Sequence, residues 1–152
     1  MMRTIRQVNE NRKDYLWLLL EADPDEPMID RYLARGKMYV LEDDGEAVAV
    51  AVTVPYKDEA DACELKNIAV DPKRQKKGYG SELIRGVMDA ESAGYAVMYV
   101  GTTLPTEPFY RSVGFEFDHL LKNFFIDNYP EPIFEDGVQA IDMRYLKRRI
   151  RA

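Results

Sequence analysis

The chain has 152 residues, a length at which one domain can bury roughly two-thirds of its unfolded surface, so we interpret residues 1–152 as a single domain. Its formal charge of −6 argues against general affinity for nucleic acid, and no stretch approaches the roughly 20 apolar residues that span a bilayer; we expect a cytoplasmic protein with neither kind of partner. The lone cysteine, Cys63, excludes an internal disulfide, and a single histidine leaves no set of soft ligands, so no metal and no zinc mechanism are expected.

The first third of the chain predicts a strand, two helices and a hairpin. Asp43-Asp44-Gly45 is the turn signal of the hairpin. In its second arm the valines share one face, while three alanines and Thr53 share the other, and this face of small residues leaves room for a helix or a ligand. The predicted bounds are a strand at Arg3–Val8, helices at Asn11–Leu20 and Met28–Leu33, and hairpin arms at Met38–Leu41 and Glu46–Val54.

The middle of the chain predicts a strand, a loop, a helix and a second strand. The segment Cys63–Val70 alternates in its first half and is closed by Asp71-Pro72, which is typical of a strand followed by a loop. After Gly80, apolar residues recur at three- and four-residue spacing until the stop signal Gly94, and Tyr95–Val100 is almost entirely apolar. Together they predict a right-handed βαβ unit, in which ligands bind beyond the carboxyl ends of the strands.

The run Gln75-Lys76-Lys77-Gly78-Tyr79-Gly80 lies at that end and has the chemistry of a diphosphate cradle. Gly78 and Gly80 lack a Cβ, so the backbone can turn tightly and point several N–H groups at one anion, and a helix beginning at Gly80 adds its unpaired amides. The dinucleotide fingerprint needs a third glycine, and the phosphate loop of nucleotide hydrolases needs Gly-Lys-Ser or Gly-Lys-Thr; neither is present. A tight turn would also explain two glycines.

A basic group surrounds the glycines of this acidic chain. Taken alone, a short charge run is most often a solvated loop. Beside the glycines it favours attraction of phosphates. Its members are Lys73, Arg74, Lys76 and Lys77.

The last part of the chain predicts two strands around a loop. We expect a strand from Phe115 to about Ile126, a loop containing Pro130 and Pro132, and a last strand from Val138 to Leu146. His119 is expected at the surface of the first of these strands.

Three blocks in the right order resemble the GNAT superfamily of N-acetyltransferases, whose acyl-coenzyme A loop has the form Gln/Arg-x-x-Gly-x-Gly/Ala. Gln75 to Gly80 is similar to that loop, Ile68 to Pro72 to the strand end before it, and Pro108 to Phe115 to the short helix with a tyrosine and the Gly-Phe that follow. The resemblance spans about Cys63 to Phe115. It implies an α/β (α+β mixed) fold with a mixed, mostly antiparallel seven-stranded sheet, about four helices and splayed central parallel strands.

The resemblance implies acetyl-coenzyme A (acetyl-CoA) as co-substrate. In the superfamily, amides of the strand before the loop face the thioester, the pantetheine arm pairs with a free strand edge, and Val100–Thr103 would form the other wall. A longer acyl chain would use the same phosphate contacts. The residues expected to bind the co-substrate are Ile68, Ala69, Val70, Gln75, Lys76, Lys77, Gly78, Tyr79, Gly80, Ser81, Thr103 and Tyr110.

Tyr110 is the candidate general acid, because the family places a tyrosine hydroxyl near the sulfur at this point. A phenol pKa of about 10 suits the protonation of a thiolate. The alternative is a core aromatic residue packed beside Phe109 and Phe115.

Glu64 is the candidate general base, since it stands eleven positions before Gln75, the offset of the catalytic glutamate in the histone-acetylating branch. On a regular strand its carboxylate would share a face with Lys66 and Ile68. The alternatives are an exposed glutamate paired with Lys66 and an ordered water as base. Cys63 is not expected to act as a nucleophile, because no histidine is near it in sequence.

The implied reaction is transfer of an acetyl group to a primary amine of a small molecule or peptide by direct attack in a ternary complex. The family binds its acceptor with the first two helices and the loop between the last two strands. Here these segments would attract a cationic amine such as a polyamine, an aminoglycoside or a lysine-containing peptide, or would form a solvated acidic surface. Their acidic and aromatic residues are Glu21, Asp23, Asp25, Glu26, Asp30, Asp127, Tyr129, Glu131, Phe134, Glu135 and Asp136.

Two other functions remain open at this point. One is a non-catalytic acyl-CoA-binding sensor or partner subunit, and the other is a nucleotide-binding domain of another kind. Exposed strand edges near the carboxyl terminus would allow a homodimer.

Overall fold

The computed structural model describes residues 2–151, and its centre is a mixed seven-stranded sheet in the order β1-β2-β3-β4-β5-β9-β6. Only β4 and β5 run parallel, and β7 and β8 form a separate hairpin. The strands are β1 (Arg3–Val8), β2 (Lys37–Asp43), β3 (Glu46–Pro55), β4 (Ala62–Val70), β5 (Val97–Thr102), β6 (Glu116–Leu121), β7 (Ile133–Glu135), β8 (Val138–Ala140) and β9 (Met143–Arg149).

Five α-helices pack around this sheet, rather than about four. A short 3-10 turn at Arg12–Tyr15 precedes α1, and a second one at Pro72–Arg74 follows β4. The predicted fold class is confirmed. The helices are α1 (Leu16–Ala22), α2 (Glu26–Leu33), α3 (Tyr79–Glu91), α4 (Glu107–Ser112) and α5 (Phe124–Asn128). None of these described helices is long and apolar enough to cross a membrane.

The hairpin of β2 and β3 turns at Asp44 and Gly45, as predicted. Both residues have positive φ, 51° and 83°, which is the backbone that a two-residue turn of this kind requires. The face of small residues on β3 is covered by α3: Ala49 and Ala51 pack in its core cluster, and Thr53 donates to Glu91 at 2.9 Å. Val50, Val52 and Val54 pack on the other side of the sheet, against α1 and α2. The predicted alternation is wrong at the start of β3, because a register shift there places Val48 on the α3 side and Ala47 on the other.

A β-bulge interrupts β4. Val52 pairs with Asn67, but the next residue, Thr53, pairs with Leu65, so Lys66 is the extra residue. Such a bulge shifts the alternation of side chains by one position.

The bulge corrects one prediction about β4. Cys63 and Leu65 before it and Ile68 after it all pack on the α3 side, so Glu64 and Ile68 lie on opposite faces rather than on one. Lys66 does lie beside Glu64, with 3.2 Å between Nζ and Oε2. Asn67 is turned toward α1 and α2, where its side chain bonds to Leu19.

Two predicted strands in the last part of the chain are wrong in their bounds. The strand expected to reach Ile126 ends at Leu121, because Asn123 takes a left-handed conformation with φ 58° and α5 begins after it. The strand expected from Val138 to Leu146 is divided into β8 and β9. Ile141 and Asp142 between them are held by the start of α5, since the Phe125 and Asn123 amides donate to them at 3.1 and 2.9 Å.

Candidate functional site

The parallel strands β4 and β5 separate in the middle of the sheet. Their pairing runs only from Ala62 and Val97 to Leu65 and Val100, whereas β4 continues to Val70 and β5 to Thr102. Beyond Leu65, β4 stays bonded to β3 on its other side. The edge of β4 that faces β5 therefore carries backbone groups without a strand partner, which an extended ligand can join.

A cleft of about 780 Å³ opens at this separation. It is large enough for a cofactor-sized molecule. Its walls come from β4, the loop before α3, β5, α4, the α1–α2 connection and the β7–β8 hairpin. Of the residues predicted to bind the co-substrate, these lie in the wall: Ile68, Ala69, Val70, Gln75, Lys76, Gly78, Tyr79, Gly80, Ser81, Thr103 and Tyr110. Lys77 is exposed and lies outside it.

The glycine loop ends at the amino terminus of α3 in a form that suits an anion. Gly78 is the N-cap residue with φ 80°, and the first helical bond runs from the Glu82 amide to the Gly78 carbonyl at 3.0 Å. The amides of Tyr79, Gly80 and Ser81 precede that bond, so they have no acceptor within the helix. They lie in the cleft wall at the positive end of a 13-residue helix.

The two glycines of the loop serve different purposes. A Cβ added at Gly78 would meet nothing within 4 Å, so this position requires glycine for its positive φ. A Cβ at Gly80 would lie 3.4 Å from the Phe109 ring and 3.6 Å from Val70, so this position brings the loop close to α4 and β4. The loop fits a diphosphate because its backbone, not a side chain, forms the concave surface.

Tyr110 lies on α4. Its ring packs in the core, and it also lines the cleft. The ring packs edge-on against Phe109 and Phe115, with centroids 5.1 and 5.9 Å away. Burial, and then the negative charge of Glu135, raise the pKa of the Tyr110 hydroxyl above its ordinary value. The hydroxyl therefore keeps its proton at neutral pH.

Glu64 is buried outside the cleft wall. The Tyr145 hydroxyl donates to its Oε2 at 2.6 Å, and Lys66 lies 3.2 Å from the same oxygen. These contacts occupy the carboxylate with protein groups. Lys66 itself lines the cleft, whereas Glu64 does not.

The other two titratable residues considered from sequence lie outside the cleft wall. Cys63 is buried, and burial raises the pKa of its thiol to about 12. His119 lies partly exposed on the edge strand β6, with its ring stacked on Tyr145 and Nδ1 at 2.7 Å from Asp118. Among residues 2–151, no group of three or more His, Cys, Asp or Glu side chains could hold a metal ion.

Four carboxylates belong to the cleft wall. Glu21 lies at the end of α1 and Asp23 directly after it, while Glu135 ends β7 and Asp136 begins the turn to β8. Glu135 accepts hydrogen bonds from Thr103 and from Thr106 at 2.7 and 2.8 Å, which attaches the hairpin to the start of α4. Of the residues expected to bind the acceptor, these four and Tyr129 lie in the wall.

Asp23 is the most buried of these carboxylates, at 7% exposure. It accepts hydrogen bonds from the Tyr32 hydroxyl, the Tyr129 hydroxyl and the Asp25 amide, at 3.1, 3.1 and 3.2 Å. Burial raises the pKa of Asp23 in spite of these bonds, and the negative Asp25 adds to the rise. Tyr32, on α2, was not among the residues expected to form the site.

Asn67 is a wall residue that sequence reasoning missed. It lies two positions beyond the last β4–β5 pair and is 4% exposed. Its Nδ2 donates to the Leu19 carbonyl at 3.1 Å and to the Tyr32 hydroxyl at 3.0 Å. The available signal was one uncharged polar residue directly before the apolar run Ile68–Val70.

The sequence and the fold are similar to those of known acetyltransferases. The family model described as "Acetyltransferase (GNAT) domain" matches residues 34–117. The chain is 34% identical over 142 residues, 90% of each protein, to the uncharacterized N-acetyltransferase YvbK of Bacillus subtilis. A GNAT family acetyltransferase from Elizabethkingia anophelis with acetyl-CoA bound is 34% identical, with a TM-score of 0.90 over 97% of each chain. A Bacillus subtilis acetyltransferase in complex with CoA is 31% identical, with a TM-score of 0.86 over 97% of this chain and 99% of that one.

Proposed function

Because this chain belongs to the GNAT family and is an acetyl-CoA-dependent N-acetyltransferase, we propose that it acetylates a primary amine of a small, cationic molecule or peptide by direct attack in a ternary complex. The observation that supports this most is that the wall of one cleft holds both a cradle of amides and four carboxylates. We also propose that residues 1–152 form one domain.

Two groups of backbone amides in the cleft would bind different parts of the co-substrate. Those of Tyr79, Gly80 and Ser81 would hold the diphosphate, and those of Ile68 to Val70 on the free edge of β4 would hold the pantetheine arm and the thioester oxygen. Acetyl-CoA supplies the carbonyl carbon that the amine attacks and the sulfur that leaves.

Tyr110 would give its hydroxyl proton to that sulfur. Its raised pKa keeps the hydroxyl protonated at neutral pH, so the proton is present when the thiolate forms. The tyrosinate left behind is a stronger base than the thiolate and regains a proton from water. The base role of Glu64 stays a prediction. Its bonds to Tyr145 and Lys66, and its position outside the cleft wall, favour the alternative in which ordered water takes the amine proton.

The charges of the wall support a cationic acceptor. Of its three cations, Lys66 pairs with Glu64 and Arg74 bonds to Glu46, which leaves Lys76 near the glycine loop. The four carboxylates of the wall would attract an ammonium group. The predicted cytoplasmic location and the homodimer stay predictions.

Release of coenzyme A tests this function directly. Thiol formation should depend on both acetyl-CoA and an amine, across a panel of a polyamine, an aminoglycoside, a lysine-containing peptide and benzylamine. Mass spectrometry of the product should show one added acetyl group. Saturable acetyl-CoA binding with no thiol released by any amine would instead support the sensor or partner subunit.

A further inference from the structure

Asn67 carries a buried hydrogen-bond acceptor that has no partner in the part of the chain that the structure describes. Its Oδ1 has no donor among residues 2–151, although the residue is 4% exposed and lines the cleft. The orientation of the amide is fixed by the Leu19 carbonyl, which needs the Nδ2 donor at 3.1 Å. A buried acceptor without a partner is costly unless a ligand supplies a donor.

Asp23 adds a negative charge to the same wall. Among the described residues, no lysine, arginine or histidine nitrogen lies within 4.0 Å of its carboxylate, unlike the other buried carboxylates Asp43, Glu64, Glu91 and Glu107. Hydrogen bonds from Tyr32 and Tyr129 hold it in place. A buried carboxylate held by neutral donors is suited to bind a cation that comes from outside the protein.

Tyr32 joins the two groups into one network. Its hydroxyl accepts from Asn67 Nδ2 at 3.0 Å and donates to Asp23 Oδ2 at 3.1 Å. These two hydrogen bonds link β4, at the point where it separates from β5, with the α1–α2 connection. Asn67 also directly precedes Ile68, whose amide belongs to the group that the proposed function assigns to the thioester arm.

We propose that Asn67 Oδ1 and the Asp23 carboxylate together bind the ammonium group of the acceptor, so that the substrate class is an aliphatic primary amine that is protonated at neutral pH. An ammonium has three N–H donors, which can serve both oxygens and one water. Tyr32 and Tyr129 are positioning residues for Asp23. The inference rests on the proposed function, since it deepens the acceptor end of the same site.

Two probes of similar size separate charge from shape. Benzylamine is protonated at neutral pH, whereas aniline is a primary amine that is neutral there. Titration calorimetry with CoA-saturated protein measures their binding without turnover, and we expect benzylamine to bind at least about 10-fold more tightly. Aniline binding as tightly as benzylamine, or no benzylamine binding at millimolar concentration, would overturn the proposal.

Substitutions then assign the effect to the two residues. Asp23→Asn and Asn67→Leu should each weaken benzylamine binding by about 10- to 100-fold and reduce its advantage over aniline, with CoA affinity unchanged. Glu116→Gln is the matched control, because it removes one exposed carboxylate that lies outside the cleft wall; it should change benzylamine binding by less than about threefold. Benzylamine binding that Asp23→Asn leaves intact would overturn the assignment.

Stability separates binding from a structural role. The groups that face Asp23 are Tyr32, Tyr129 and Asp25, and burial raises its pKa, so the ionised form costs stability once the pH exceeds the folded-state pKa. Asp23→Asn should therefore unfold at the same or higher urea concentration at neutral pH while losing amine affinity. A variant that loses stability and affinity together would indicate a structural role.

The outcomes also separate this proposal from the proposed function. Equal acetylation of aniline and benzylamine would support the proposed acetyl transfer and refute only the ammonium site. Tight benzylamine binding that depends on Asp23, without acetylation of any amine, would support the ammonium site and refute the proposed acetyl transfer.

Discussion

A carboxylate at position 78 should weaken coenzyme A binding far more than a neutral side chain of the same size. Gly78 has φ 80°, and an added Cβ meets nothing within 4 Å, so the site has room for a side chain but the backbone opposes one. That backbone cost, about 1–2 kcal/mol, is shared by Gly78→Glu and Gly78→Gln. The difference in CoA affinity between the two variants therefore measures the effect of the added negative charge alone.

The size of that difference follows from Coulomb's law. At about 6 Å and an effective dielectric of about 40, one carboxylate repels one phosphate charge by roughly 1.4 kcal/mol. Two charges of a diphosphate bound at the Tyr79–Ser81 amides would give roughly 3 kcal/mol, or about 100-fold in Kd.

Titration calorimetry of CoA at about 0.15 M salt measures the ratio, and the ratio should shrink as salt is raised because exposed charges are screened. Circular dichroism checks that both variants fold. Equal CoA affinity of the Glu and Gln variants would refute the assignment of the loop as the diphosphate site.

Three further variants test the remaining roles. Tyr110→Phe should lower turnover by about 10- to 100-fold and leave CoA affinity nearly intact, because only the hydroxyl is removed; unchanged turnover with chemistry rate-limiting would exclude Tyr110 as the acid. Glu64→Gln, which can still accept from Tyr145, should keep turnover within about threefold in steady-state assays, and a loss of about 100-fold would assign the base role to Glu64. Glu91→Ala should lower the free energy of unfolding in urea by about 2–4 kcal/mol because Tyr39 and Thr53 lose their partner, whereas the exposed control Glu82→Ala should cost less than about 1 kcal/mol; similar losses would contradict the burial argument.

Much of the amino-terminal and central fold could be predicted, because its signals are local. The Asp44-Gly45 turn, the break at Asp71-Pro72 and the apolar stripe after Gly80 each act within a few residues. These patterns predicted the βαβ unit and the anion-binding loop, and the resemblance added the assignment of the loop to acyl-coenzyme A. The co-substrate end of the cleft is formed largely by this one stretch, so most residues predicted for it do lie in the wall.

The carboxyl-terminal elements were harder to predict because long-range contacts decide them. Phe124, Phe125 and Ile126 form an apolar run that fits a strand or a helix equally well by composition. The helix forms because Asn123 turns the backbone and bonds to Asp142, nineteen positions away. That same contact divides the predicted last strand.

The acceptor end could be predicted only in its composition. The acidic character of the α1–α2 connection is visible in the sequence, but nothing local shows that Asp23 is the carboxylate enclosed by two tyrosines. The role of Asn67 depends on the bulge at Lys66, which alternation alone does not reveal. Without the bulge, Asn67 would point into the core beside α3.

That single extra residue makes β4 behave as two strands of opposite phase joined end to end. Removing Lys66 would rotate one half by a full pleat, either burying the Asn67 amide among aliphatic side chains or turning Cys63 and Leu65 out of them. A one-codon deletion here should therefore be more damaging than most point substitutions in the cleft. Insertions in the α1–α2 connection would leave this phase untouched, but those that displace Asp23 would break its bonds to Tyr32 and Tyr129.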